Sequence, residues 1–479
     1  MSEPTEILEV EQNEPSPGAG DPGQGDPVRD LHVELEDLIV QALDAGDVEK
    51  VEGLIDPLHY ADVADLLERL TPDDRHVVLG ILGDDEDLPE IVSELDETVR
   101  DGVIDGLGLA SVAAVVQELE SDDAVQIVEE LEEHEQKQVL DAIPASDRTL
   151  IEESLTFPED SAGRLMQREV VTVPEFWNVG QTIDYLRESV DDETLDLPEM
   201  FYDIFVVSPT HMPVGTIPVS RLLRTKRPVK ATDIMEPEMR IIPVTMDQED
   251  VAFIFRQRDL TSAPVVDDSG RLVGVVTVDD VVDVIHEEVE EDIMRLGGVR
   301  EDDLYEATMA TTWSRFSWLF VNLGTAIVAS MVISLFEGTL EEIVAVAILM
   351  PIVASMGGNA GTQTMTVTVR ALAMKELSAT NAMRVVGKEV LVGGINGVLF
   401  AVLSGVVAWF WFDNIGLGLV IAMAMVVNML VAGIAGTTIP LFLERLGADP
   451  AVASSVFLTT ITDVVGFSAF LGLAAVFLL

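Results

Sequence analysis

Residues 351–372 read PIVASMGGNAGTQTMTVTVRAL, and the rest of the chain is best read outward from them. The stretch is apolar, yet it carries Gly357, Gly358, Asn359, Gly361 and Gln363, which weaken a helix or demand hydrogen-bond partners. Around it lie five apolar spans, at about 313–336, 343–373, 390–412, 415–443 and 451–479. Each approaches or exceeds the roughly 20 residues that cross a bilayer. Non-helical or polar backbone at membrane depth is tolerated where it is buried in protein or lines a watery cavity. Close helix packing accounts for the glycines alone; a lined permeation path accounts for Asn359 and Gln363 as well.

A second anomaly points the same way. In FLTTITDVVGFSAF (457–470), Asp463 reads as the one carboxylate well inside an apolar span, with no Lys, Arg or His expected inside the spans to pair with it. An Asp at mid-bilayer costs roughly 2.5–3.5 kcal/mol on insertion scales, so it normally faces a cavity or a partner. A cation is the natural partner, with Thr459, Thr460 and Thr462 adding hydroxyl oxygens; a protonated Asp bonded between helices is the plainer alternative.

Charge divides the chain. Its 479 residues include 86 acidic and 27 basic ones, a formal charge of −59 that argues against nucleic acid as a partner. Only nine acidic and six basic residues lie from Thr312 onward, so a soluble acidic front half joins a membrane back half. The excess looks like a halophile's solubilising surface, and solvation is the plain reading of most single carboxylates. With no Cys, disulfides and thiolate metal sites are excluded. The loop after the second span carries Arg370, Lys375, Arg384 and Lys388, whereas EGTLEE and FDN carry no basic residue. By the positive-inside rule the front half is cytosolic and the C-terminus external, in a multi-pass protein of the cell membrane. Residues 1–30 have no basic flank before an apolar run and read as a disordered acidic tail.

Between about 31 and 156, Leu70, Leu82, Leu95, Leu107, Leu119, Leu131 and Ile143 recur every 12 or 13 residues, which predicts a solenoid of short stacked helices. From Ser161 the pattern changes to short β-branched runs alternating with helices, giving two α+β units at 157–228 and 229–286. The second, with its APVVDDSGRLVGVVT hairpin, resembles a CBS domain, a family whose pairs commonly sense adenine nucleotides. That resemblance gives Gly274, Thr277 and Asp280 phosphate- and ribose-contacting roles, with ATP as the ligand. In the first unit Pro218 and Arg221 stand where the hydroxyl and acid belong, so a structural or metal-sensing pair is the competing reading.

The run VDDVVDVIHEEVEEDIMRLGG continues the last helix of that unit into a connecting segment at 287–311, ahead of the membrane domain at 312–479. Like charges at helical spacing destabilise a helix, so a solvated face or bridging divalent cations must compensate. EDSAGRLM (159–166), PIVASMGGNAGTQ, GKEVLVGGINGV and DPAVASS followed by TTITDVVG together resemble the MgtE family of magnesium channels and transporters. The resemblance implies a mostly α membrane protein: a cytosolic helical solenoid, a tandem CBS pair, a plug helix and a five-helix transmembrane domain, working as a homodimer in lipid. It implies a Mg²⁺-selective pore closed by cytosolic Mg²⁺ bound between solenoid, CBS pair and plug. Asp463 would be the pore carboxylate and Asp449 a metal contact at the cytosolic start of the last span. Gly357, Gly358, Asn359, Gly361, Gln363 and Thr459 would line the path. Glu90, Asp122, Asp247, Glu249, Asp259, Asp280, Asp283, Glu288, Glu291 and Asp292 would hold the gating Mg²⁺. Gln126, Ser455 and Val456 depart from the family pattern.

No enzyme chemistry is expected. Gly387-Lys388 is followed by Glu389 and makes no phosphate loop, and His286-Glu287 lacks the second His of a zinc protease. A non-conducting Mg²⁺ sensor and a broader carrier of divalent ions such as Co²⁺ or Mn²⁺ remain as alternatives.

Overall fold

A computed structural model describes residues 27–83, 87–188, 197–198, 200–299, 308–378 and 380–479. The expected tail, up to residue 26, and residues 300–307 of the expected connecting segment lie outside the described residues. The chain forms two compact units. One runs up to Leu119 and adds Gln126–Arg148; the other comprises Glu120–Val125 and Thr149–Leu479.

Ten helices come first among the described residues: α1 (Pro27–Asp44), α2 (Val48–Ile55), α3 (Tyr60–Arg69), α4 (Pro72–Leu82), α5 (Leu88–Ser93), α6 (Glu97–Leu107), α7 (Leu109–Glu118), α8 (Ser121–Glu130), α9 (Glu133–Ala142) and α10 (Ala145–Ser154). The recurring leucines mark where these helices stop. Leu70, Leu119 and Ile143 are C-terminal caps in extended backbone whose N–H groups still reach the carbonyl four residues back. Leu70, Leu82, Leu95, Leu131 and Ile143 are buried, each such side chain stabilising by about 1.5–3 kcal/mol. Helix starts are signalled as clearly: Pro72 opens α4 behind Thr71, whose hydroxyl accepts from the Asp74 N–H at 3.3 Å, and Asp96 accepts from the Thr98 N–H at 3.0 Å. The first unit also buries the ion pair of Arg100 with Glu130 at 2.9 Å, the guanidinium donating further to the carbonyls of Ser93 and Leu95.

The two α+β units repeat one plan. After α11 (Ala162–Leu165), β1 (Thr172–Pro174) lies parallel to β2 (Asp203–Val207), which pairs antiparallel with β3 (Pro213–Pro218); α12 (Val179–Glu188), α13 (Val219–Arg224) and α14 (Ala231–Ile234) complete the first. In the second, β4 (Ile242–Pro243) is parallel to β5 (Ser262–Val266), β5 is antiparallel to β6 (Leu272–Thr277), and α15 (Gln248–Arg258) packs on α16 (Val278–Gly297). The boundary expected at residue 286 falls inside α16, which ends at Gly297 before Gly298 in left-handed backbone (φ 70°).

Among the described residues five helices are long and apolar enough to cross a membrane: α17 (Thr308–Ser334), α19 (Val344–Ala373), α20 (Ala382–Phe412), α21 (Ile415–Arg445) and α22 (Pro450–Phe477), with the short α18 (Glu337–Glu342) between the first two. In the hairpin of α20 and α21, Gly405 and Gly418 face each other's backbone, Gly393 meets the Met429 carbonyl and Gly433 the Glu389 carbonyl. α21 is central, touching α19, α20 and α22, and its Ile421, Ala424 and Met425 join Leu349, Val353 and Phe470 in one core.

Two expectations need correction. Asp463 is not the sole carboxylate inside a span: α20 begins at Ala382 and buries Glu389, because glycines draw its backbone against α21. Basic residues do lie inside the helices, namely Arg315, Arg370, Arg384, Lys388 and Arg445. α19 runs as continuous helix through the glycine stretch at residues 357–363.

Candidate functional site

α19 is two-faced. Gly357 and Gly361 are buried against Asn428 and Leu458, and the Gly361 carbonyl lies against Gly436. Asn359, Thr362, Gln363 and Thr366 form an exposed polar stripe on the other side, and Gly358 has no neighbour within 4 Å of where a side chain would start. The glycines predicted as a group thus serve two ends, packing at 357 and 361 and open space at 358. Thr362 and Thr366 donate to the carbonyls of Gly358 and Thr362 at 3.0 and 2.9 Å. A hydroxyl whose proton is spent in this way still presents lone pairs outward.

On α22, Asp463 is half-buried and makes no hydrogen bond or ion pair among the described residues. One turn before it, Thr459 is exposed and donates to the Ser455 carbonyl at 2.9 Å. Thr462 is fully buried and donates to the Leu458 carbonyl. Deeper toward the start of α20, Glu389 accepts a long hydrogen bond of 3.4 Å from Thr364 of α19. Sequence reasoning passed over Glu389 because it sits one residue before the apolar run.

The end of α16 meets the membrane domain at the start of α22. Leu296 packs with Met365, Val369, Ala435, Ala451 and Leu458, and Gly298 is in contact with Trp318 of α17. Arg295 pairs with Asp449 at 2.5 Å and also with Glu291. Two carboxylates expected to bind metal are therefore held by a guanidinium, and Asp449 additionally caps α22 by accepting from the Ala451 N–H at 2.7 Å. Arg295 was the missed residue; the only Lys or Arg in an acidic helix was its signal. Burial, with Asp449 and Glu288 nearby, pushes Asp292 up to about 6.

Farther along α16 lies an acidic cluster. Burial first, then Asp280, Asp123 and Glu120, hold Asp122 well above the ordinary Asp range. Burial and Glu169 push Glu120 up to about 7, and burial pushes Asp280 up to about 6 against its hydrogen bond from Thr277. The segment is fixed from below: Ser121 donates to Glu169 at 2.7 Å, the Arg168 N–H donates to Ser121, and Gln167 donates to Glu120. Asp283 is raised by burial and Asp279. Glu288 is raised by burial, although it accepts from Gln248 at 3.0 Å, and Glu249 by burial against the pull of Lys375.

Other predicted residues have local duties. Asp247 caps α15, accepting from the Glu249 N–H at 3.0 Å, and Asp259 ends it in left-handed backbone. Glu90 is exposed on α5 in the other compact unit. Among the described residues no three carboxylates or imidazoles converge closely enough to form a direct metal cage. The carboxylates of Glu120, Asp122 and Asp280, raised by burial and by one another, nevertheless suit Mg²⁺, which keeps most of its waters and needs only one or two of them.

At the expected nucleotide site, Thr277 donates to Asp280 at 2.5 Å in a capping box that opens α16. The space beside Gly274 is filled by Met166 and the Gln167 backbone, so chain packing accounts for that glycine. The adjoining cleft, lined by Glu169, Tyr202, Asp203, Ser262 and Thr277, holds about 20 Å³, room for a water rather than a nucleotide.

α15 reaches the loop after α19, where Lys375 pairs with Asp250 and lies 5.2 Å from the Phe253 ring centroid. The basic loop and the second α+β unit are therefore on one side of the membrane helices.

Comparison with known proteins yields three family matches: a divalent cation transporter domain over residues 350–473, the MgtE intracellular N domain over 58–160, and a CBS domain over 231–287. The magnesium transporter MgtE of Thermus thermophilus is 32% identical over 446 residues, covering 91% of this chain and 97% of that protein. Its Bacillus subtilis namesake is 28% identical over 441 residues, covering 92% and 96%. A solved cytosolic domain of the Mg²⁺ channel MgtE, in complex with ATP, is 30% identical with a TM-score of 0.47, covering 52% of this chain and 99% of that one.

Proposed function

Since the chain belongs to the MgtE family, whose members are magnesium transporters, we propose that it admits Mg²⁺ to the cytosol down its electrochemical gradient and is shut by cytosolic Mg²⁺. The observation that carries the gating reading is the seat of α16, with Leu296 in the apolar cluster of α19, α21 and α22 and Arg295 on Asp449. A helix anchored there connects the acidic cluster of the cytosolic part to the mouth of the membrane domain. In this pose Asp280 is repelled by Asp122 and Asp283, and farther along the helix Glu288 repels Asp292. Bound Mg²⁺ would supply the missing positive charge and so favour the seated helix.

In this reading the path runs along the polar stripe of α19 and the Asp463 face of α22. Two copies of the chain bring these faces to a common axis, and Gly358, Asn359, Gln363, Thr459 and Asp463 hold a mostly hydrated ion. Hard oxygen donors, with no Cys and with all six His at or before His286, suit Mg²⁺ over softer metals. The α15 contact with the basic loop supports cytosolic front domains, an external C-terminus and a cell-membrane location; the acidic surface suits a salt-rich cytosol. ATP binding beside Thr277 and Asp280 requires the 20 Å³ cleft to open. Heat on adding ATP to the intact protein, absent in Thr277→Ala, would establish that site, and no heat at millimolar ATP would discard it.

The deciding experiment is Mg²⁺ entry into high-salt liposomes holding an internal fluorophore. Wild type should conduct and Asp463→Ala, still folded, should not; normal flux in that variant removes Asp463 from the path. Absence of wild-type flux at every internal Mg²⁺ level would favour a non-conducting sensor.

A further inference from the structure

Asn428 lies wholly buried midway along α21, in the otherwise apolar run IAMAMVVNMLVAG (421–433). Its Nδ2 donates to the Val353 carbonyl of α19 at 2.8 Å, while its Oδ1, equally buried, has no hydrogen-bond partner. The amide occupies a slot made by two absent side chains. A methyl group at Gly357 of α19 would collide with Nδ2, and one at Gly466 of α22 would stand 2.7 Å from it. Gly357 is two residues from Asn359 and six from Gln363; Gly466 is one helical turn from Asp463. The wedge thus touches both helices that carry the candidate path, within a turn or two of the residues that would meet the ion.

A purely packing role would be filled better by an apolar side chain. A buried amide with an unmade acceptor gives up its hydration without full replacement, and an apolar residue of similar size avoids that cost. Directional bonding to Val353 is what an apolar residue cannot supply. We infer that Asn428 is a positioning residue for permeation: it keys α21 between Gly357 and Gly466 and so fixes the distance from Asp463 to the polar stripe of α19. The inference rests on the transport reading above. It adds that discrimination among cations is set by a residue that never touches them. Mg²⁺ holds its waters more tightly than Ca²⁺ and is told apart as a hydrated body, so the spacing of the two helices becomes the selective variable.

The test measures Mg²⁺ and Ca²⁺ uptake by the full-length protein in liposomes. Asn428→Leu should lower the ratio of Mg²⁺ to Ca²⁺ uptake about tenfold and raise the KM for Mg²⁺, as expected for a displacement near 1 Å at a positioned site. The exchange Gly357→Asn with Asn428→Gly returns an amide to the same slot from the opposite helix and should recover most of the ratio. A structural role alone would change the yield of folded protein and the maximal rate while leaving ratio and KM in place, and that result overturns the inference. If Asn428→Leu does not fold, Gly466→Ala, which pushes on the same amide, should shift the ratio in the same direction; an unchanged ratio there is equally fatal. Failure of the transport reading looks different, because wild type itself would then carry no Mg²⁺.

Discussion

The two α+β units share one sheet order and diverge at the end of its last strand. In the first, Pro218 leads into α13, which has no side-chain cap and stops after six residues at Arg224. In the second, Thr277 and Asp280 close a capping box and α16 runs for 20 residues to the membrane domain. Arg221, three residues after Pro218, pairs with Glu236 at 2.5 Å on the surface, whereas the corresponding Asp280 faces Asp122 and Asp279. One repeat neutralises its charge locally. The other sets carboxylates against one another at the root of the helix that reaches the start of α22, so one sheet order ends once in a paired surface charge and once in an acidic cluster.

The comparison breaks most visibly at the far end of α16. Arg295→Gln should release the seated helix and raise flux at inhibitory internal Mg²⁺ by about tenfold, the middle of the usual range for coupling between sites. Arg221→Gln should leave inhibition unchanged. Reversing the pair, Arg295→Glu with Asp449→Arg, should restore closure, and failure of that reversal would show that charge pairing is not what holds the helix.

Acidity tests the root. Glu120, Asp122 and Asp280 hold protons more tightly in the folded protein than in the unfolded chain, with Glu120 near 7 and Asp280 near 6. Their protonation therefore contributes stability that is complete below about pH 4, near their unfolded values, and is lost as pH rises through about 6 to 7. Without Mg²⁺, the melting temperature should fall between pH 5 and pH 8, and millimolar Mg²⁺ should recover the loss at pH 8 but add little at pH 5. A melting temperature indifferent to pH would remove the cluster as a sensor.

Smaller effects sharpen the contrast. Thr277→Ala should cost about 1 kcal/mol in urea unfolding through the lost cap, while Pro218→Ala loses no side-chain cap. Arg221→Ala removes a surface ion pair and should cost well under about 1 kcal/mol.

Elements that depend on local pattern could be read from the sequence. The leucines that close α3, α4 and α7 and the isoleucine that closes α9 announced the solenoid helices, and the β-branched hairpins announced both sheets. The five long apolar runs gave the membrane helices to within a few residues except at α20, where Ala382 precedes the apolar start by a full two turns. What hydropathy missed there was Glu389, whose burial depends on glycines of a different helix. The same limit applies to the site. Asp449 and Arg295 are 154 residues apart, and nothing local to either announces the pair. Gly357 and Gly358 are adjacent in sequence yet opposite in duty, because only the positions of α21 and α22 decide which of them is covered. Asn428 was passed over in the sequence although it is a polar residue in an apolar run, because its slot is built by two helices distant in the chain.

The glycine seam between α20 and α21 bears on how the molecule is made. These two helices are joined by only Asp413 and Asn414, so the contacts of Gly405 with Gly418 close a short loop, and contacts of low sequence separation form soonest. The hairpin is the expected nucleus of the membrane domain, complete before α22 has left the ribosome, and Asp463 is delivered onto a surface already assembled. Cysteines placed at 405 and 418 should already crosslink in a stalled chain whose α21 has emerged while α22 is still inside the ribosome; if they do so only after α22 emerges, assembly follows another order. Substitutions along the seam would then be felt during biogenesis, as protein that never reaches the membrane intact, instead of as altered conduction.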